Sequence, residues 1–150
     1  MTGARDLEGI VLRYGGFYGP GTGIARGGDM LEMIVKGRFP VVGDGGGVWS
    51  LIHIEDAAAA TVAAIERGRP GVYNVADDEP APVREWLPAL AEALGGRRPR
   101  HMPAFLGRLL LGQAGYVMMT DLRGASNAKA KRELGWTPAY PSFRQGFAAL

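Results

Sequence analysis

Cysteine is absent from the 150-residue chain, which excludes disulfide frameworks, thiolate metal sites and cysteine nucleophiles. No run of about 18 apolar residues occurs, so no segment reads as a membrane-spanning helix. Met1-Thr2-Gly3-Ala4-Arg5-Asp6 lacks the apolar centre of a secretory signal. Net charge is also small: 17 Lys and Arg against 15 Asp and Glu leave a formal +2, a weak field for a general nucleic-acid binder. Histidine is scarce, with two residues, and neither His-Glu-x-x-His nor Gly-x-Ser-x-Gly is found. His53-Ile54-Glu55 has the His-x-Glu spacing of a zinc deaminase, but that chemistry needs the missing cysteines. His53, in an apolar stretch, reads as a satisfied, half-buried histidine. These absences leave the expectation of a cytoplasmic globular protein with no metal site and no membrane or nucleic-acid partner.

What is present is a core-forming chain with unusual glycine. Hydrophobic residues make up 47% and charged residues 21%, enough apolar material for one domain. Glycine contributes 24 residues and proline 10, clustered between regular segments in the manner of tight or functional loops. Gly9–Tyr14 is a β-branched apolar run typical of a buried parallel strand, and residues 15–23 read as a loop. Met30, Met33 and Ile34 repeat at helical spacing within 29–36, with Gly37 closing the helix. Residues 39–42 read as a strand, 43–47 as a glycine turn and 48–54 as extended chain. An alanine-rich helix starts at Glu55-Asp56, where acids suit the helix dipole, and runs to Ile65. Further segments are a strand at 71–75, a helix at 82–94, a short strand at 99–102 and helices at 105–111 and 128–134. Ser142 can cap a last segment. Strands alternating with helices place the chain in the α/β class.

Gly21-x-Gly23-x-x-x-Gly27 lies between a strand and a helix, as a dinucleotide-binding turn does, but its last glycine comes one place late; a plain turn is the alternative. Asp77-Asp78-Glu79 reads as a solvated loop. Two basic clusters, Arg97-Arg98-Arg100-His101 and Lys129-Lys131-Arg132, suit either phosphate or plain solvent, and no aromatic residues are interleaved to stack bases.

Four stretches carry a family resemblance. They are Leu12-Arg13-Tyr14-Gly15-Gly16-Phe17-Tyr18-Gly19-Pro20-Gly21; Val42-Gly43-Asp44-Gly45 with Ile52-His53-Ile54-Glu55-Asp56-Ala57-Ala58; Gly71-Val72-Tyr73-Asn74-Val75; and Ala130-Lys131-Arg132-Glu133-Leu134-Gly135-Trp136-Thr137-Pro138. In that order and spacing the chain closely resembles the region after the catalytic helix in extended short-chain dehydrogenase/reductases, the NAD-dependent epimerase/dehydratase group. The family's Tyr-x-x-x-Lys pair is missing: Tyr14, Tyr18, Tyr73, Tyr116 and Tyr140 are followed four places on by Tyr18, Thr22, Asp77, Thr120 and Arg144.

The resemblance implies an α/β fold made of the C-terminal strands of a Rossmann-type parallel sheet plus the small α/β substrate-binding lobe. Residues 1–150 are then the C-terminal substrate-binding part, with the N-terminal cofactor-binding part absent. Segments 9–14 and 72–75 become parallel neighbours whose uncovered sides favour a homo-oligomer. NAD or NADP belongs to the full-length enzyme, with no tight binding to this chain alone and no catalytic residue within it. Tyr14 and Gly15 match cofactor-binding positions beside the nicotinamide. Gly16, Phe17, Met33, Val42, Trp49 and Tyr116 match substrate-pocket positions, although helical spacing makes Met33 equally a core residue. Trp49 stands where nucleotide-sugar enzymes place a diphosphate-binding arginine, and Tyr116 falls near a second, for which Arg123 is an alternative. The implied partner is a small molecule, either a nucleotide sugar or a more apolar ligand. Two functions stay open: the substrate-binding half of an NAD(P)-dependent epimerase, dehydratase or reductase, inactive alone, or a non-catalytic ligand-binding or regulatory module derived from it.

Overall fold

The structure is a computed structural model, and it describes residues 9–150; Met1–Asp6, read above for a targeting signal, lie outside them. The elements follow in the order β1 (Ile10–Tyr14), β2 (Gly16–Tyr18), α1 (Asp29–Val35), β3 (Val41–Val42), β4 (Val48–Trp49), β5 (Leu51–His53), α2 (Ile54–Arg67), β6 (Gly71–Val75), β7 (Ala81–Pro82), α3 (Val83–Ala93), β8 (His101–Met102), α4 (Ala104–Thr120), α5 (Ala128–Leu134) and α6 (Phe143–Ala148). None of these helices is long and apolar enough to cross a membrane. β1 runs parallel to β6, in register from Ile10 opposite Gly71 to Tyr14 opposite Val75. β2 is parallel to β5 and β3 to β8, while β4 and β7 are antiparallel. The fold is α/β, as the alternation of segments implies.

β5 divides the molecule between two cores, because successive strand residues point to opposite faces. Leu51 joins one core with Tyr18, Ile34, Val42, Trp86, Leu87, Leu90 and Phe147. Ile52 joins the other, where Ala57, Ala60, Ala63 and Ala64 of α2 pack with Tyr73, Val75, Leu134 and Trp136. The alanine face of α2 brings its backbone close to the neighbouring elements. Each fully buried leucine or isoleucine contributes roughly 1.5–3 kcal/mol.

Three elements depart from the sequence reading. Gly16–Tyr18 is strand, not loop. The Gly15 N–H donates to the Val75 carbonyl at 2.9 Å and the Gly16 N–H to the Ser50 carbonyl at 2.8 Å, so the chain leaves β6 and pairs with β5 within one residue. The paired glycines hide that change of partner from any alternation pattern. α4 runs on well past residue 111; Gly112 breaks it at φ 67°, and the stretch beyond buries Met119. Ala81–Pro82 forms β7 instead of opening a helix, and Pro82 is the N-cap of α3.

The acidic run is a loop that is solvated only in part. Asp77 is buried. Asp78 accepts from Lys131 Nζ at 2.9 Å and Asn127 Nδ2 at 2.7 Å, and Glu79 accepts from Arg144 Nε at 3.1 Å. The three acids tie the end of β6 to α5 and α6. Burial pushes the Asp78 carboxyl up, but the Lys131 and Asn127 hydrogen bonds outweigh it and hold it below the ordinary carboxylate range.

Candidate functional site

A cavity of about 590 Å³ lies among basic residues near β3 and β8; a second, of about 530 Å³, opens where β1 and β6 end. The second has the placement of a ligand site, since parallel sheets bind at the carboxyl ends of their strands, where neighbouring connections diverge. Here β1 ends against β6, and β2 continues against β5. The floor is backbone. An added Cβ at Gly15 would stand 2.5 Å from the Ser50 carbonyl oxygen, and one at Gly16 would stand 3.2 Å from the Leu51 side chain. The strand crossing therefore excludes a side chain at Gly15, and both residues present bare backbone to the cavity.

The walls come from β4, β6 and the end of α4. Trp49 Nε1 donates to the Met118 carbonyl at 2.8 Å, and its ring lies 5.0 Å from Trp86. Trp49 thus both lines the cavity and packs on the core. The segment after α4 is fastened across the opening: the Ala125 N–H donates to Ser50 Oγ at 2.8 Å and Asn74 Nδ2 to the Ser126 carbonyl at 3.3 Å. Met118, Leu122, Arg123 and Arg13 complete the lining. The arrangement offers a backbone floor, an aromatic and aliphatic wall, and two arginines in the lining.

Of the residues singled out from sequence, Tyr14, Gly15, Gly16 and Trp49 line this cavity. The Tyr14 hydroxyl is hydrogen-bonded to Thr61 at 2.6 Å. Phe17 packs on Tyr14, its ring tilted with centres 5.4 Å apart, without lining the cavity. Met33 is exposed on α1, where Leu31 and Ile34 make the buried face. Val42 is fully buried in the first core, where Gly107 of α4 packs on it. Tyr116 packs at the edge of that core with the Arg108 guanidinium 5.8 Å from its ring centre. Ser50, Asn74, Met118 and Leu122 were not singled out. Asn74 lies within one of the motifs that were read and Ser50 sits next to another, but their role depends on contacts with a segment about fifty or more residues distant.

His53 is more buried than expected. Its Nδ1 accepts from the Glu55 N–H at 3.3 Å, capping α2, and its ring lies 4.1 Å from Tyr140. Among the described residues no three His, Asp or Glu converge as metal ligands.

A family model described as "NAD dependent epimerase/dehydratase family" matches residues 1–76. A 3-diazoavenalumate denitrifying reductase from Streptomyces is 46% identical over 146 residues, which cover 97% of this chain and 48% of that protein. A dTDP-glucose 4,6-dehydratase from Xanthomonas campestris is 36% identical over 115 residues, covering 73% of this chain and 31% of its own length. The chain thus spans about half or less of these curated relatives. The crystal structure of a human epimerase family protein with NADPH superposes with a TM-score of 0.77 over 93% of this chain and 47% of that one, at 24% identity, a likeness of fold.

Proposed function

Because this chain belongs to the NAD-dependent epimerase/dehydratase family, we propose that it is the substrate-binding half of an NAD(P)-dependent reductase, taking a small organic anion with an apolar or aromatic body and inactive by itself. The observation that carries this reading is the cavity lining, in which Trp49, Met118 and Leu122 accompany Arg13 and Arg123. An aromatic wall gains from stacking, and a guanidinium pairs with a carboxylate or phosphate through charge-assisted hydrogen bonds. The relative at 46% identity is named a reductase, which supports that reaction class.

The residues fit the nicotinamide end of a cofactor. Bare backbone at Gly15 and Gly16 allows a flat ring to approach closely, and Tyr14, anchored on Thr61, stands beside them. NAD or NADP, when bound, supplies hydride transfer. The chain's own contribution is to seat the ring edge and the substrate; without a Tyr-x-x-x-Lys pair it has no proton donor of the family's kind.

A nucleotide sugar is the second reading, favoured by the two guanidiniums and by the dTDP-glucose 4,6-dehydratase match. The same residues would serve a non-catalytic binding module. Titration of tryptophan fluorescence with an arylcarboxylate and with dTDP-glucose separates the first two, and oxidation of NADH or NADPH by the full-length protein separates both from a binding module. We expect arylcarboxylate binding without nicotinamide oxidation by the 150-residue chain, and in the full-length enzyme a KM about tenfold higher for Trp49→Ala. Nicotinamide turnover by the purified chain alone overturns the proposal. We further propose that the chain self-associates through the open side of β1.

A further inference from the structure

The two basic clusters of the sequence meet different fates in the fold. Lys131 pairs with Asp78, Arg132 with Glu133, and Lys129 lies 4.5 Å above the Tyr73 ring. That cluster is used internally. The other is not. The Arg97 N–H donates to the Val35 carbonyl and the Val41 N–H to the Arg100 carbonyl, both at 2.9 Å, and His101 pairs with Val41 in the β3–β8 ladder. These bonds bring residues 36–38 against residues 97–101. Lys36, Arg38, Arg97, Arg98, Arg100 and His101 consequently line one open cavity of about 590 Å³. All six are exposed. Among the described residues, only Lys36 has a carboxylate partner, Glu32 at 2.7 Å. A molecule of net charge +2 thus concentrates five of its strong bases around one cleft.

The first turns of α4 adjoin the cleft. Leu106 lines it, and Phe105 and Leu109, one turn apart, are 76% and 78% exposed, with Leu110 at 62%. Such side chains lose hydrophobic free energy in water, and a contiguous group of them marks a surface that contacts another phase or partner. Protruding bulky side chains suit insertion into a lipid interface, whereas a docked peptide wants a groove. A second copy seated here would bring two unpaired basic clusters together. The remainder of a family enzyme would adjoin β1 and β6, which pack on α2 and α5, whereas the first turns of α4, which carry Phe105 and Leu109, pack through Gly107 on Val42 of β3.

We propose that this face docks on an anionic membrane surface, phosphate headgroups entering the basic cleft while Phe105, Leu109 and Leu110 enter the interface. A protein with no spanning helix among its described residues can still bind in this manner, through buried apolar area plus attraction to anionic lipid. The sequence expectation of no membrane partner rests on the lack of a span and does not touch it.

The test is co-sedimentation of the full-length protein with vesicles of phosphatidylcholine, with and without phosphatidylglycerol. Binding is expected only with phosphatidylglycerol and is expected to weaken as salt rises. Each basic residue near such a surface is worth about a fivefold gain in partitioning, so Arg97→Glu with Arg98→Glu should weaken binding at least about twentyfold. Phe105→Ser with Leu109→Ser should also release the protein. These side chains are exposed, and circular dichroism confirms the fold of each variant. Absent binding, or equal binding to both vesicle types, overturns the proposal. So does binding that the Phe105 and Leu109 changes leave intact, a result that would make the cleft a site for a soluble phosphate or an acidic macromolecule.

Discussion

Asp77 shows a side chain whose chemistry is set by burial. Its Oδ1 accepts from the Glu79 N–H at 3.2 Å, and its Oδ2 has no hydrogen-bond partner. Burial pushes its pKa from 3.8 up to about 7, with the Glu79 and Asp78 charges adding to the rise. The folded state keeps a proton that the unfolded chain releases near pH 4. The contribution of Asp77 to stability is therefore most favourable in acid and declines as pH rises toward 7. Asp77→Asn keeps the acceptor and removes the charge. Urea titrations should show this variant above wild type at pH 8, by up to roughly 4 kcal/mol, with the gap closing near pH 4. The neighbouring Tyr18 hydroxyl is driven well above the ordinary phenol range, first by burial and then by Asp77 and Asp56. Asp56 is also buried, but both its oxygens are paired: they accept from the Ala139 and Tyr140 N–H groups at 2.7 and 2.9 Å. Asp56→Ala leaves both donors unpaired and is expected to lower stability by about 2–4 kcal/mol in thermal unfolding.

At the level of elements, the junction of β1 and β2 decides the site. A strand that changes partner within one residue requires close backbone contact, and Gly15 meets the requirement by lacking a Cβ. Gly15→Ala would set a methyl carbon against the Ser50 carbonyl. The expected cost is about 1–3 kcal/mol in thermal unfolding, together with weaker ligand binding at the cavity in the same fluorescence titration. The helices were legible in outline: α2, α3 and α5 follow apolar periodicity and stop at glycines. α4 was legible only to Gly112. Its second half carries a weaker pattern, and the side chain it buries, Met119, faces a core assembled from distant strands.

For the whole molecule, the uncovered part of the sheet is the main liability. Ile10, Val11, Tyr14 and Val72 are exposed on β1 and β6, and β1 pairs on one side only among the described residues. An open edge beside exposed apolar side chains favours strand pairing between copies. Light scattering of the purified chain should therefore show concentration-dependent association, reduced by Val11→Lys; a stable monomer at high concentration would contradict this.

The chain by itself determined what is local or carried by adjacent residues. Cysteine chemistry is excluded by composition, the α/β alternation follows from short apolar runs and helical spacing, and the four motifs carry the family. Tertiary structure alone decided which residues share a space. The ring of Trp49, the hydroxyl of Ser50 and the segment 122–126 converge because α4 folds back on β4. Five strong bases converge because β8 lies beside β3. Val42, expected at a pocket wall, sits inside a core for the same reason. Contacts across such separations depend on the path of the backbone, and periodicity, capping and turn chemistry act over only a few residues.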